Sequence, residues 1–185
     1  MVSNPVSSVL KIRKISPNEI NKSELFELMF DPLYGAFYPE SSMVEGQIDF
    51  PEYLEDTIFK EGIPKTYYVM EDETGKMLGF ITFASRVEDI PVLVLEDMCL
   101  DKSLRGRGEG TRFAKFGIEE ERKTLDGRPL VAYVSMQGNP NSPRVIRFFE
   151  YLGFEREKMI RVLAKKAPPG RSTVDYMRMI WKETK

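Results

Sequence analysis

Residues 100–123, LDKSLRGRGEGTRFAKFGIEEERK, constrain this chain more than any other stretch. An apolar run ends there, glycines alternate with charged residues at Gly106, Gly108 and Gly110, and a helical pattern follows. That order places a strand, a sharp turn and a helix N-terminus at one point. Glycine opens backbone conformations closed to other residues and lets N–H groups approach a ligand without interference from a Cβ. A helix starting at the turn adds unpaired N–H groups and the positive end of its dipole, both of which favour a phosphate. Arg105 and Arg107 stand beside the turn with guanidinium groups suited to phosphate oxygens. The stretch therefore reads as a phosphate-binding turn.

Spacing separates the glycine turns of different nucleotide binders. A Walker loop requires G-x-x-x-x-G-K-[ST], and the chain has no Gly-Lys-Ser/Thr; a dinucleotide fingerprint requires G-x-G-x-x-G, and Thr111 stands where its last glycine belongs. What fits is R-x-x-G-x-G, filled by Arg105, Gly108 and Gly110. In this the chain resembles the GNAT-type N-acetyltransferases, whose signature grips the pyrophosphate of acetyl-CoA. The resemblance implies that the backbone from Arg105 through Gly106, Arg107, Gly108, Glu109 and Gly110 to Thr111 holds the pyrophosphate. It implies also that backbone groups of Met98, Cys99 and Leu100 align the pantetheine arm and the acetyl carbonyl. The implied fold is α/β, a mixed, mostly antiparallel central sheet of about seven strands flanked by helices on both faces, with residues 1–185 as one domain.

Composition narrows the chemistry. A chain of 185 residues, 42% hydrophobic, is long enough to bury one real core. No apolar stretch approaches a membrane span, and the first five residues lead into no signal-peptide core, so a cytoplasmic protein is expected. The single cysteine, Cys99, excludes an internal disulfide and fits a reducing compartment. The chain has no histidine, which removes Ser-His and Cys-His nucleophile pairs and the commonest metal ligand together. Acid-base chemistry falls to carboxylates, Tyr, Lys, Cys or water, and no metal centre is expected. The net charge of −2 hides an asymmetry: residues 1–100 carry 8 basic against 18 acidic side chains, residues 101–185 carry 19 against 11. Such a split suits a basic half holding an anionic ligand and an acidic half facing a cationic one. Nucleic-acid binding lacks an interleaved aromatic motif in the basic half and is not expected.

Taken in order, Val9 to Ile15 alternates apolar and basic residues as an edge strand does. Ser16 or Asn18 caps a helix running through Leu25 and Met29, with Pro17 in its first turn, and Asp31-Pro32 stops it. The following residues, 31–50, show no sustained period and carry Asp31, Tyr34, Phe37, Tyr38, Glu40, Glu45 and Asp49. Long loops in compact domains often bind ligands, and aromatics with carboxylates suit a cationic amine. Residues 51–60 read as a second helix closed by Gly62. Thr66 to Met70 and Lys76 to Ala84 are strands around a turn at residues 71–75, and Leu78-Gly79-Phe80-Ile81 resembles the start of the family's third strand. Leu130 to Met136, Met159 to Ala164 and Val174 to Trp181 complete the strands.

Pro91 to Leu100, which leads into the glycine turn, is predicted as a central strand interrupted by Glu96 and Asp97. A carboxylate there is costly unless paired, facing a cleft, or protonated, so both are candidate catalytic groups. Strand alternation predicts that they point to opposite faces.

Residues 138–154, GNPNSPRVIRFFEYLGF, carry a second resemblance. The family places an Asn after its fifth strand against the pantetheine arm and ends the next helix in Gly-Phe; Asn141 and Gly153-Phe154 correspond, with Asn139 as competitor. The family often carries a Tyr four residues before that Gly as general acid for the departing thiolate. Phe149 stands there and has no proton to give, and Tyr151 lies two residues before the Gly, elsewhere around the helix. Tyr151 remains a candidate acid, with packing the alternative for Phe148, Phe149 and Tyr151.

The reaction implied is transfer of the acetyl group of acetyl-CoA to an amine. It rests on positioning and carbonyl polarisation, with Glu96 as base, since an aliphatic ammonium of pKa about 10.4 must lose a proton before attack. The alternative is a non-catalytic acyl-CoA-binding regulatory module. The acceptor is expected to be cationic: a polyamine, an aminoglycoside, a protein N-terminus or a lysine. A second copy of the chain, as a homodimer, is a further candidate partner, and no membrane partner is expected.

Overall fold

The computed structural model describes residues 9–29, 58–136, 142–163 and 173–182. Seven strands, β1 (Lys11–Ile15), β2 (Lys65–Glu71), β3 (Met77–Val87), β4 (Pro91–Leu100), β5 (Leu130–Ser135), β6 (Phe154–Leu163) and β7 (Thr173–Trp181), form one sheet in the order β1-β2-β3-β4-β5-β7-β6. Every adjacent pair is antiparallel except β4 and β5, which run parallel. Among the described residues three helices flank the sheet: α1 (Lys22–Met29), α2 (Glu109–Arg122) and α3 (Ser142–Tyr151). The mixed, mostly antiparallel sheet with helices on both faces is the architecture expected, and the bounds of β4 coincide with the predicted ones. The expected loop of residues 31–50, most of the helix at 51–60, and Asn139 and Asn141 lie outside the described residues.

Period-two alternation along β2 and β3 divides the core. Tyr67, Val69 and Phe80 turn to one face and pack with Leu25, Leu28 and Met29 of α1. Tyr68, Met70, Ile81 and Phe83 turn to the other, where Phe113 and Ile118 of α2 and Ile146 and Phe149 of α3 cover them. Two glycines set how closely α2 approaches: a Cβ at Gly79 would meet the Phe113 ring at 2.9 Å, and one at Gly117 would meet the Phe83 ring at 2.9 Å. Phe149 packs edge-on against Phe154 at 5.2 Å between ring centres, which gives it the structural role open to it in the sequence.

Three local readings are corrected. Ser16 and Pro17 begin a single 3₁₀ turn, Pro17–Glu19, with Glu19 reaching back to the Ser16 N–H at 2.9 Å. The cap of α1 is Asn21, whose Oδ1 accepts from the N–H groups of Ser23 and Glu24 at 3.1 and 3.3 Å. The β6 strand begins at Phe154, not Met159, because an edge strand tolerates the charged run at residues 155–158. The acidic end of α2 is not wholly solvated: Glu121 is only 5% exposed and accepts a hydrogen bond from the Tyr68 hydroxyl at 2.8 Å. Burial, then the Glu121 carboxylate, pushes the Tyr68 phenol well above its ordinary range. No helix among the described residues is long and apolar enough to cross a membrane.

Candidate functional site

The site is made by a strand that changes neighbours halfway along. Leu93, Val94 and Leu95 of β4 pair with Leu130, Val131 and Ala132 of β5, and beyond Leu95 that pairing ends while pairing with β3 continues to Leu100. On β3, Phe83 opposes Leu95 but Thr82 opposes Asp97, so Glu96 is the extra residue of a β-bulge. Two consequences follow. The edge of β4 facing β5 is left without a ladder partner from Glu96 onward. The Asp101 N–H bonds to Leu78 O on β3, so alternation turns the N–H groups of Met98 and Leu100 the other way, onto that open edge.

The bulge also overturns the expectation that Glu96 and Asp97 face opposite sides. Asp97 accepts from the Thr82 hydroxyl at 3.1 Å, and Glu96 reaches Lys65 and Arg86, which share the face of Thr82 through Ala84. Both carboxylates therefore lie on the α1 side of the sheet, and both raise the Tyr67 phenol above its ordinary pKa after burial has done so first. Arg86 donates to Glu96 Oε1 through Nε at 2.5 Å and also through Nη2. Lys65 Nζ lies 3.0 Å from Oε2, with side-chain exposures of 2% for the lysine and 9% for the glutamate. The contact is ionic without hydrogen-bond geometry, and Oε2 accepts no directed bond among the described residues. Both oxygens of Glu96 are thus faced by fixed cations.

At the end of β4 the chain enters a 3₁₀ turn, Lys102–Leu104, capped by Asp101 through the Ser103 N–H at 2.8 Å. Gly106 and Gly108 then take φ of +72° and +82°, the left-handed region, and no atom lies within 4 Å of where a Cβ would stand on either. Gly108 is the N-cap of α2, and its carbonyl accepts the first helical bond from the Arg112 N–H at 3.0 Å. Helix geometry leaves the N–H groups of Gly108, Glu109, Gly110 and Thr111 without partners inside the helix. Gly110 takes no part in the bend. It lies in the first turn of α2, where the Met98 and Leu100 side chains sit 3.6 Å from its missing Cβ.

These parts enclose a cleft of about 520 Å³, bordered by Met98, Cys99, Leu100, Arg105, Gly106, Gly108, Gly110 and Thr111 from the predicted set. Leu28 and Met29 of α1 also line it, as do Arg144 and Phe148 of α3, so it draws walls from both faces of the sheet. The seam between β4 and β5 makes that crossing possible. Among the described residues no carboxylate borders it, and its charged side chains there are Arg105 and Arg144. A cradle of unpaired N–H groups, open glycine positions and two guanidinium groups fits the phosphates of CoA. The four added wall residues belong to helices distant in sequence and carry no motif of their own.

Other predicted residues fall elsewhere. Arg105 donates from Nε to Leu100 O at 2.7 Å, tying the glycine turn to the end of β4. Arg107 is exposed and does not line the cleft, and Glu109 pairs with Arg112 at 2.8 Å. Burial, with Asp97 adding, pushes the Cys99 thiol far above its ordinary pKa, so it stays protonated in the cleft wall. Tyr151 is 71% exposed, lies under the Lys115 ammonium at 5.5 Å, and is not brought to the cleft.

The geometry agrees with comparisons to known proteins. Residues 64–156 match the acetyltransferase (GNAT) domain family. No curated protein sequence matches the chain. Among solved structures, a protein from Desulfovibrio desulfuricans assigned to the GNAT family superposes with a TM-score of 0.64 at 17% identity, over 94% of this chain and 99% of that one. Spermidine N-acetyltransferase from Vibrio cholerae, solved with CoA and spermine, gives 0.59 at 16% identity over 92% and 94%. The ribosomal-protein-S18-alanine N-acetyltransferase of Escherichia coli gives 0.55 at 17% identity over 94% and 93%.

Proposed function

Because the chain belongs to the GNAT family of acetyltransferases, using acetyl-CoA to acetylate an amine, we propose that the seam between β4 and β5 is where the transfer takes place and that the acceptor is a cationic amine. The observation that carries this is the cleft itself, which joins the glycine turn to the open edge of β4. Near-complete mutual coverage with GNAT structures supports residues 1–185 as one domain.

Acetyl-CoA supplies the activated thioester. The unpaired N–H groups of Gly108, Glu109, Gly110 and Thr111 hold its phosphates, with the α2 dipole reinforcing them. The N–H groups of Met98 and Leu100, fixed by pairing with β3, are donors for the pantetheine arm and the thioester carbonyl. They are preorganised because the opposite edge of β4 is locked into the ladder. The Leu28, Met29 and Phe148 side chains exclude water from the path.

An ammonium acceptor must give up a proton, and two carboxylates stand side by side for that purpose. Glu96, expected from the sequence as base, has both oxygens turned to Arg86 and Lys65. Asp97 accepts from the Thr82 hydroxyl, and we assign it the proton-accepting role, with Glu96 anchoring the bulge that orients it. Acetylation of spermidine by one structural neighbour and the net acidity of residues 1–100 support a polyamine-like acceptor.

The test is release of CoA thiol from acetyl-CoA against polyamines, aminoglycosides and peptides with free N-termini. Turnover fastest with polycationic amines is the expected result. Cofactor binding without thiol release for any class would contradict it.

A further inference from the structure

Among the described residues two guanidinium groups border the cleft, and they are not equivalent. Arg105 is engaged at its Nε by Leu100 O, a contact internal to the turn. Arg144, exposed on the first turn of α3, makes no hydrogen bond or ion pair with any described residue. Of the other cations nearby, Arg112 is paired with Glu109 at 2.8 Å, and Arg107 and Arg147 are exposed and do not border the cleft. Among the described residues of the cleft wall no carboxylate competes for Arg144. Phe148, one helical turn further along α3, lines the same cleft with an apolar ring.

From this we infer that Arg144 binds a phosphate of the CoA nucleotide from the α3 wall, opposite the N–H groups of α2, so that the anion is held between a backbone cradle and a side-chain cation. The inference rests on the proposed cofactor assignment and adds to it a residue outside the glycine signature. A guanidinium matches a phosphate with two parallel donors, whereas an ammonium acts as a point charge, so lysine at the position retains charge but loses geometry. The position Arg144 occupies is set by α3, whose start is tied to the sheet by the bond from Ser142 Oγ to Ser135 O at 2.6 Å.

The experiment is calorimetric titration of CoA and of 3′-dephospho-CoA into the wild type, Arg144→Met, Arg144→Lys and Arg147→Met, each at low and high salt. Arg144→Met is expected to weaken CoA binding by about tenfold at low salt and by less at high salt. Arg144→Lys recovers most of the loss, and Arg147→Met, which removes the same charge one turn away, stays within about twofold of the wild type. A loss shared by dephospho-CoA places the contact on the diphosphate, and a loss confined to CoA places it on the 3′-phosphate; either supports the inference. Unchanged affinity in Arg144→Met overturns it, as does an equal loss in Arg147→Met, or a loss that lysine does not restore and salt does not alter. A wild type that takes up no CoA fails the cofactor assignment itself and this inference with it, a result visible before any variant is titrated.

Discussion

The two halves of β4 are one strand put to opposite uses. From Pro91 to Leu95 it pairs with β3, at Leu93 to Leu95 with β5 as well, and Val92 to Leu95 are buried; from Glu96 to Leu100 it keeps one neighbour, and every residue is partly exposed. The change is made by one extra residue, Glu96, whose bulge shifts the register against β3. A strand that stayed paired would be a core element with no unsatisfied donors. One that lost both neighbours would have no fixed donors to offer. Pairing on one side only leaves N–H groups exposed and rigid together, which is what binding and polarising a carbonyl requires.

That contrast predicts stability effects in the first half and functional effects in the second. The largest expected change in stability comes from Leu95→Ala, which removes a side chain 3% exposed from the α2 and α3 side of the core and should cost about 2–4 kcal/mol in denaturant unfolding. Met98→Ala, past the bulge, should cost roughly half of that or less, because its side chain borders the cleft. Equal losses would break the distinction between the halves.

Asp97→Asn should lower kcat about 100-fold with acetyl-CoA affinity unchanged, the range expected for loss of a general base. Glu96→Gln, which leaves Lys65 and Arg86 without their anion, should lower both kcat and melting temperature. If Glu96→Gln alone abolished turnover while Asp97→Asn did not affect it, the proton-accepting role would pass to Glu96.

The α2 side offers a control that touches no cleft residue. Tyr68→Phe strands the buried Glu121 carboxylate and should destabilise by about 1–3 kcal/mol with turnover intact. A smaller effect lies in alkaline pH. The Tyr67 and Tyr68 phenols have folded pKa values raised by burial and by nearby carboxylates, above the unfolded value of about 10. Their contribution is complete below that unfolded value and is lost as pH rises toward the folded ones. Melting temperature should therefore decline above pH of about 10, with a shallower decline in Tyr68→Phe.

Much of this was legible in the sequence because its signals are local. The glycine turn, the bounds of β4 and the alternation of β2 and β3 follow from residues adjacent in the chain. The bulge was not legible: alternation along β4 alone puts Glu96 and Asp97 on opposite faces, and only the register against β3 shows otherwise. Glu121 is a similar case. It ends a run of three glutamates that resembles a solvated helix end, yet Tyr68, 53 residues earlier, meets it in the core. Arg144 carries no motif and becomes a cleft residue only when α3 packs beside α2. Tyr151, which the sequence places two residues before Gly153 and elsewhere around the helix, is 71% exposed and does not border the cleft.

The most direct test of the central claim is a calorimetric titration of acetyl-CoA into the wild type and into Gly108→Val. The substitution meets no neighbouring atom, so its effect comes through backbone strain at φ +82° and the N–H groups that this turn aims. The account predicts one site in the wild type and binding weakened at least about 100-fold in the variant, which still folds with a melting temperature lowered by the strain at this one residue. Equal affinity in the two proteins would contradict it and place the cofactor away from the seam between β4 and β5.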